Sequence, residues 1–294
     1  MRIATHNVNG IRATLRRGFR AFWDTAGADV IALQEVRCRV ADLPPEAFGD
    51  YHVTLDAGLL AGRNGVAVLT KSAPTRVRTL GEPVTTIARG GLPEASEAER
   101  IVNRDLSAFA GEGRYVEVDL ADAPLRVASL YLPKGAAWPY EPGSKDKYDR
   151  KMRFLRGFAR QLTTSRREAA ADGREFLVMG DFNVAHTTLD LRNWRSNQKS
   201  EGFLPEEREW FGTLLGPRRM VDVVRALHPG VDGPYSWWSW RGQAFANDSG
   251  WRIDYHLASP ALARSAVHAF VAREDGYDAR MSDHAPVFVD YALD

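Results

Sequence analysis

Short apolar runs that end in polar residues recur along the whole chain. The clearest is residues 175–179, which lead into Gly180, Asp181 and Asn183. A run of this length that is apolar throughout is typical of a buried strand. Side chains two apart in an extended strand point the same way. The pattern therefore predicts a strand whose tip presents the Asp181 carboxylate beside the Asn183 carboxamide, although a simple turn also favours Gly, Asp and Asn.

Similar runs predict most of the remaining elements. Further strands are expected at residues 3–8, 29–33, 51–55, 66–70, 115–120, 125–132, 251–257 and 284–291. Apolar residues at helical spacing predict helices at residues 12–26, 147–171 and 205–215. The exposed face of the second helix is expected to carry Arg150, Lys151, Arg153, Arg156 and Arg160. Residues 81–113 show no clear period and are interpreted as a surface insertion. Many short strands with interspersed helices indicate an α/β protein with layered sheets.

Polar side chains stand where the predicted strands end. They are Asn7, Asn9, Glu35, Tyr131, Asp181, Asn183, Asp254, Asp283 and His284. Sites assembled from strand tips place reactive groups on a rigid scaffold. This set is rich in oxygen ligands and contains no cysteine, which suits Mg²⁺ or Mn²⁺ better than Zn²⁺. Aspartate, histidine and a divalent cation together favour hydrolysis of a phosphate ester by an activated water.

Composition limits the classes of protein that fit. The 294 residues are 44% hydrophobic and 26% charged, an ordinary profile that we interpret as a single domain over residues 1–294. No apolar run approaches the roughly 18 residues of a membrane helix, so no membrane partner is expected. Cys38 is the single cysteine, which excludes an internal disulfide, disfavours a cysteine metal site and agrees with a reducing cytoplasm. A cytoplasmic location and a monomeric state are expected. The net charge of +1 does not by itself indicate a nucleic-acid partner.

Eight short motifs occur in a fixed order along nearly the whole chain. They are NVNGIR at 7–12, LQE at 33–35, GVAVLT at 65–70, YLP at 131–133, GDFN at 180–183, FLPEER at 203–208, WRIDY at 251–255 and SDH at 282–284. Each is weak alone, but together they resemble the exonuclease III family of apurinic/apyrimidinic endonucleases, within the endonuclease/exonuclease/phosphatase superfamily. The resemblance implies a four-layered α/β sandwich, with two mixed β-sheets packed face to face and helices on the outside.

The resemblance also implies an activity. It is that of a metal-dependent DNA repair nuclease, similar to exodeoxyribonuclease III. Such an enzyme hydrolyses phosphodiesters of duplex DNA at abasic sites, or trims blocked 3′ ends, by attack of a metal-activated water. Two alternatives remain open: a phosphoesterase of the same superfamily acting on a phosphoinositide or sphingolipid, and a DNA-end-binding protein without catalysis. The FLPEER motif and the tryptophans of residues 237–240 favour DNA repair, and the complete set of expected catalytic residues disfavours the non-catalytic alternative.

The roles that the resemblance implies concern a metal ion and a phosphate. Glu35 is the principal ligand of Mg²⁺ or Mn²⁺. The other implied ligands are Asn7, Asn9, Asp181, Asn183, Asp283 and His284. Asp181 orients or deprotonates the attacking water, or protonates the leaving oxygen, and Asn183 donates to the developing phosphorane oxygens. Asp254 fixes the tautomer of His284. His284 then either contacts the scissile phosphate or acts as the general base, and Tyr131 places its hydroxyl near the phosphate.

Another set of residues is predicted to contact DNA. It comprises Arg114, Lys134, His186, Arg192, Arg195, Lys199, Trp237, Trp238 and Trp240. The tryptophans suit base stacking, with core packing as the alternative, and the basic loop suits phosphate contacts, with a solvated surface as the alternative. Lys134 stands where many relatives carry Asn or Gln. We predict that His186 reaches the mouth of the pocket and Lys134 a terminal phosphate, so that 3′-end processing at least equals abasic nicking. The alternative is that both side chains face solvent and the enzyme is an ordinary abasic endonuclease.

Overall fold

The computed structural model describes residues 1–60, 62–81 and 83–293. Its helices are α1 (Ile11–Leu15), α2 (Phe19–Ala26), α3 (Lys145–Ala171), α4 (Pro205–Leu214), α5 (Val223–Leu227) and α6 (Pro260–Arg264). Its first eight strands are β1 (Arg2–Asn7), β2 (Val30–Gln34), β3 (His52–Asp56), β4 (Val66–Thr70), β5 (Arg76–Thr79), β6 (Val84–Ile87), β7 (Pro93–Ser96) and β8 (Glu99–Arg100). The others are β9 (Tyr115–Asp119), β10 (Leu125–Tyr131), β11 (Glu175–Asp181), β12 (Val221–Asp222), β13 (Asp254–Ala258), β14 (Ala266–Val271) and β15 (Val287–Tyr291).

The strands form two mixed sheets. Within the described residues, the first has the order β14-β15-β1-β2-β4-β3-β6-β7 and the second has the order β12-β13-β11-β10-β9-β5-β8. Strands β1 and β2 pair in parallel, as do β10 and β11, whereas most of the other neighbours are antiparallel. Helices α1 and α2 pack on the outer face of the first sheet, and α3 and α4 on that of the second. The predicted four-layered α/β sandwich is therefore confirmed.

Alternation along the strands explains why the sheets face each other. In β1 and β11, Ile3 and Leu177 point into the core between the sheets, while their neighbours Ala4 and Val178 point outward to the helices. This period of two is the geometry of an extended strand. All four side chains are fully buried, so both faces of each sheet are covered. Continuous apolar runs in the sequence are the expected result of such double burial.

Two predicted features of the helices were wrong. The helix expected at residues 12–26 is two helices, because Gly18 at φ 94° lies outside the right-handed helical region and turns the chain between α1 and α2. Lys151 was expected on the exposed face of α3 but is fully buried. Its ammonium group lies 2.7 Å from the Glu207 carboxylate of α4, and a partner of opposite charge is what permits such burial.

Residues 81–113 contain more regular structure than their sequence pattern predicts. Strands β6 and β7 extend one edge of the first sheet, and β8 pairs with β5 at the edge of the second. Ile101, Leu106 and Phe109 are buried in the core beneath α3. The segment thus contributes edge strands and core side chains, and its status as an insertion stays a prediction. Across the part of the chain that is described, no helix is both long and apolar enough to cross a bilayer.

Candidate active site

A cleft of about 570 Å³ opens at one end of the sandwich. It lies where the inward-facing rows of both sheets change from apolar to polar. In β1 the row runs from Ile3 to Asn7, and in β11 it runs from Leu177 to Asp181. Because β1 and β2 are parallel, Glu35 follows β2 at the same end. The strand tips of two different sheets therefore line one cleft.

Two carboxylates and one imidazole meet at the floor of the cleft. One ligand atom from each of Glu35, Asp181 and His284 lies within 4.8 Å of the other two. The Asn7 side-chain amide holds the carboxylates in place, because its Nδ2 donates to Glu35 Oε1 at 2.8 Å and to Asp181 Oδ2 at 2.9 Å. The Asn7 Oδ1 accepts a hydrogen bond from the backbone N–H of Asn9 at 3.0 Å. Asn7 is fully buried and orients the two acidic side chains.

His284 is held from behind by Asp254. The antiparallel pairing of β11 with β13 places Asp254 directly beside Asp181. Asp254 Oδ2 lies 2.8 Å from His284 Nδ1 and accepts a second hydrogen bond from the Ser236 hydroxyl at 2.6 Å. This arrangement turns His284 Nε2 toward the cleft, 3.8 Å from Asp181 Oδ2. A carboxylate at Nδ1 selects the tautomer or charge state in which that nitrogen carries the proton.

Burial and neighbouring charges shift both titrating groups on the cleft floor. Burial raises the pKa of Asp181, and the nearby Asp254 and Glu35 charges add to this, while His284 acts against it. Burial lowers the pKa of His284, but Asp254, Asp181 and Asp283 outweigh that effect and the net direction is upward. A carboxyl group whose proton is held more tightly, next to an imidazole that favours its cationic form, is a pair equipped to exchange a proton.

Asp283 lies at the side of the cleft rather than on its floor. Its Oδ1 accepts from Asn9 Nδ2 at 2.8 Å, and its Oδ2 accepts from the Trp237 indole at 3.1 Å. The net effect of its surroundings lowers the pKa of Asp283: burial raises it, but His284, Trp237 and Asn9 outweigh burial. Both carboxylate oxygens are thus held by donors. Asp283 stabilises the wall formed by Asn9 and Trp237 and remains ionised.

Unusual backbone conformations concentrate around the cleft. Asn9, Glu35, Arg37 and Asn183 have φ angles of 45°, 52°, 49° and 48°. Asparagine tolerates the left-handed region, whereas glutamate and arginine rarely adopt it. Strain of this kind costs on the order of 1–3 kcal/mol per residue and tends to collect at functional sites. Arg37 was missed in the sequence, although it lines the cleft and contacts both Glu35 and Asn9. Its position two residues after Glu35 was the available signal.

Tyr131 and Asn183 also line the cleft, whereas Arg114 lies behind it. The Asn183 side-chain amide donates to the Leu132 carbonyl at 2.9 Å and to Asp181 Oδ2 at 3.1 Å. A phosphate oxygen must therefore replace one of these acceptors before Asn183 can donate to it. Arg114 donates to the Tyr131 carbonyl at 3.1 Å, and its guanidinium stacks over the Tyr131 ring. Arg114 therefore supports Tyr131 within the protein.

The three predicted tryptophans have different environments. Trp237 lines the cleft. Trp238 is buried against Phe245, so it packs in the core, which was the alternative reading for this cluster, and it is not placed to stack on a base. Trp240 lies outside the cleft and stacks with the Arg280 guanidinium. A run of alternating side chains cannot present all three tryptophans on one surface.

The basic loop reaches the cleft mainly through its small polar residues. Of the predicted DNA contacts, Lys134 lines the cleft, whereas Arg192, Arg195 and Lys199 are exposed and do not line it. His186 does not reach the mouth as predicted, because its ring packs against Phe211 at 4.9 Å between centroids. The cleft-lining side chains that charge alone did not reveal are Asn193, Asn197, Ser200, Ser239, Ser249 and Trp251.

The donor set fits a divalent cation. Glu35 and Asp181 offer carboxylate oxygens, the ligands that Mg²⁺ and Mn²⁺ prefer, and the His284 imidazole lies within 4.8 Å of them. Three buried ionisable groups this close together are costly unless a charge compensates them. Arg37 contacts Glu35 and supplies part of that compensation. The arrangement can therefore hold one cation beside a phosphate oxygen and a water molecule.

Comparisons with known proteins agree with this geometry. The model of the endonuclease/exonuclease/phosphatase family matches residues 4–284. An exodeoxyribonuclease of Bacillus subtilis is 29% identical over 290 residues, covering 98% of both chains. Exodeoxyribonuclease III of Haemophilus influenzae is 29% identical over 306 residues, covering 99% of this chain and 100% of the relative. The structure of an AP endonuclease from Archaeoglobus fulgidus is similar over the full length of both chains, with a TM-score of 0.78 and 25% identity. This chain belongs to the endonuclease/exonuclease/phosphatase family.

Proposed function

We propose that this chain is a metal-dependent DNA repair nuclease that cleaves duplex DNA at abasic sites or trims blocked 3′ ends. One observation carries the proposal: Glu35, Asp181 and His284 converge within 4.8 Å at the floor of the cleft. Two full-length relatives named as exodeoxyribonucleases support DNA as the substrate. The partner is accordingly duplex DNA. A monomeric state and a cytoplasmic location stay predictions.

The side chains divide the chemistry between them. Glu35 holds Mg²⁺ or Mn²⁺, which when bound neutralises phosphate charge and lowers the pKa of a coordinated water. Asp181 receives a proton from the attacking water, because its carboxyl group binds a proton more tightly than usual. His284, oriented by Asp254, donates through Nε2 to the phosphate. Asn183 exchanges its bond with the Leu132 carbonyl for a bond to a phosphorane oxygen.

The test compares two duplexes, one with an internal abasic site and one with a 3′-phosphate, each in Mg²⁺ and in EDTA. We expect cleavage in Mg²⁺ and none in EDTA. The variant Asp181→Asn keeps the shape of the side chain and should lower kcat about 10²–10⁴-fold. Full turnover in EDTA would contradict the metal requirement. Hydrolysis of a phosphoinositide or sphingomyelin, with both duplexes left intact, would move the substrate to the lipid alternative.

Lys134 supports a preference for 3′ ends. It lines the cleft with its side chain 68% exposed, and its ammonium group lies 3.6 Å from the Glu201 carboxylate. A weakly held cation at the rim is available to a terminal phosphate, which carries more charge than a diester. Lys134→Asn should lower removal of a 3′-phosphate more than abasic nicking. Lys199→Asn, in the neighbouring loop, is the matched control, and an unchanged ratio of the two activities in Lys134→Asn removes this role.

DNA binding should weaken as salt rises, because cations on the protein displace counterions from phosphates. The basic loop contributes through the exposed charges of Arg192, Arg195 and Lys199. Replacing all three with alanine should weaken binding of unrelated sequences to a similar degree and reduce the salt dependence, measured by fluorescence anisotropy. Affinity that is flat from low to moderate salt would make this loop an ordinary solvated surface.

A further inference from the structure

A second concave surface lies on the helical layer, away from the cleft. It is a groove of about 650 Å³ between the second half of α3 and the segment that follows α4. Lys151, near the start of α3, bonds to the Asn183 carbonyl at the active site. Thr163, in the groove, lies twelve residues further along, or about 18 Å at the rise of an α-helix. The groove is therefore separate from the catalytic centre.

The groove exists because α4 is shorter than α3. The two helices run in the same direction, since Glu207 pairs with Lys151 and the Trp210 indole then donates to the Leu155 carbonyl at 2.8 Å. Helix α4 ends at Leu214, whereas α3 continues to Ala171. Past that point the wall of the groove opposite α3 comes from residues 218–220. This leaves an open channel over the edge of the core.

The groove combines an apolar floor with a cationic rim. Leu162, Leu214 and Met220 form the floor and belong to the core beneath α3 and α4. The rim arginines are Arg160, Arg166, Arg167, Arg218 and Arg219. Arg160 is paired with Asp105, but among the described residues no carboxylate lines the groove itself. Clustered cations repel one another unless an anion joins them, so the surface is complementary to a negatively charged ligand.

We propose that this groove binds a short acidic peptide segment of a partner protein, with an apolar side chain of the segment seated on Leu162, Leu214 and Met220. The volume is within the range of ligand sites. Arginines recognise carboxylates through paired hydrogen bonds, as in acidic-motif recognition. The apolar floor distinguishes this ligand from duplex DNA, whose phosphates would satisfy the rim but leave the floor empty. The site would recruit a partner without occupying the catalytic cleft.

The experiment uses fluorescein-labelled hexapeptides and the full-length protein, with binding followed by anisotropy. The first probe has four aspartates followed by leucine and phenylalanine. The second replaces the two apolar residues with glycine, and the third replaces the aspartates with asparagine. The test variant is Arg167→Glu with Arg218→Glu, both exposed on the rim. The matched control is Arg100→Glu with Arg264→Glu, which makes the same charge change at exposed positions elsewhere.

The first probe should bind more tightly than the other two. Binding should weaken roughly tenfold or more in the Arg167→Glu/Arg218→Glu variant and little in the control, because attraction becomes repulsion only in the groove. Cleavage of abasic DNA should stay unchanged in both variants.

Three results would overturn the proposal. They are no binding of the first probe at low salt, an equal loss in the control variant, and equal binding of the first two probes. Competition by a duplex that depends on Arg167 and Arg218 would assign the groove to nucleic acid instead.

Discussion

The ion pair between Lys151 and Glu207 gives the sharpest test of how this fold holds its active site. Both side chains are fully buried, and the Lys151 ammonium group lies 2.7 Å from Glu207 Oε1. The same ammonium donates to the Lys134 carbonyl at 3.0 Å and to the Asn183 carbonyl at 2.9 Å. One cation therefore ties α3 to α4 and to two loops of the cleft. Lys151→Met keeps the volume of the side chain and removes all three interactions.

The expected loss of stability follows from the polar groups that lose their partner. In Lys151→Met, the Glu207 carboxylate and two carbonyl oxygens remain buried without their partner. Breaking a buried ion pair in this way should lower the free energy of unfolding by about 3–5 kcal/mol. Burial already raises the pKa of Glu207, and Lys151 is the main group acting against that shift. Lys145→Met is the matched control. Lys145 pairs with Asp149 on the same helix, with exposed fractions of 63% and 53%, and an ion pair this exposed contributes little to the free energy of unfolding.

The assay is urea unfolding of the parent, the control Lys145→Met, the single variants Lys151→Met and Glu207→Gln, and the double variant Lys151→Met/Glu207→Gln. The double variant should be more stable than Lys151→Met alone, because it also removes the unpaired Glu207 charge. A coupling energy of roughly 2 kcal/mol or more is expected between residues in direct contact within one network. If Lys151→Met lowered the free energy of unfolding no more than Lys145→Met does, the reasoning would be refuted. In folded Lys151→Met, kcat should also fall because the Asn183 loop loses an anchor.

Three further outcomes follow from other parts of the structure. Asp254→Asn should lower kcat about 10²–10⁴-fold without unfolding the protein, because it disturbs the tautomer of His284; unchanged kcat would remove this pairing from the mechanism. Glu35→Gln should weaken Mg²⁺ binding in calorimetry, and equal affinity would assign the ion to other ligands. Burial raises the pKa of Asp56 from 3.8 to about 6, so the folded state holds its proton more tightly and this group lowers stability as pH rises from 4 to 6. The free energy of unfolding of Asp56→Asn, relative to that of the parent, should therefore rise by on the order of 2 kcal/mol between pH 4 and pH 7. Parallel curves of unfolding free energy against pH for the two proteins would contradict this.

The local pattern of the chain determined most of the elements. Runs such as residues 29–33 and 175–179 became β2 and β11, because a strand between two packed layers must be apolar on both faces. The same runs marked where polar groups begin, so Glu35 and Asp181 were predicted as strand tips. The motif order added the two-sheet architecture. Short elements such as β12 and α5 escaped prediction because a few residues carry no measurable period.

Tertiary structure alone decided which side chains meet and which are hidden. The sequence pattern places Lys151 on a basic helix face, but in the structure it pairs with Glu207, from a helix more than fifty residues later. Trp238 and His186 were predicted as DNA contacts. In the structure Trp238 packs against Phe245, and His186 packs against Phe211. These outcomes depend on strand register and helix packing between distant parts of the chain, whereas a sequence pattern records only the spacing of neighbours. The sequence therefore predicted the chemical groups of the site, and the packing of the sheets and helices determined their distances, their protonation and their access to a ligand.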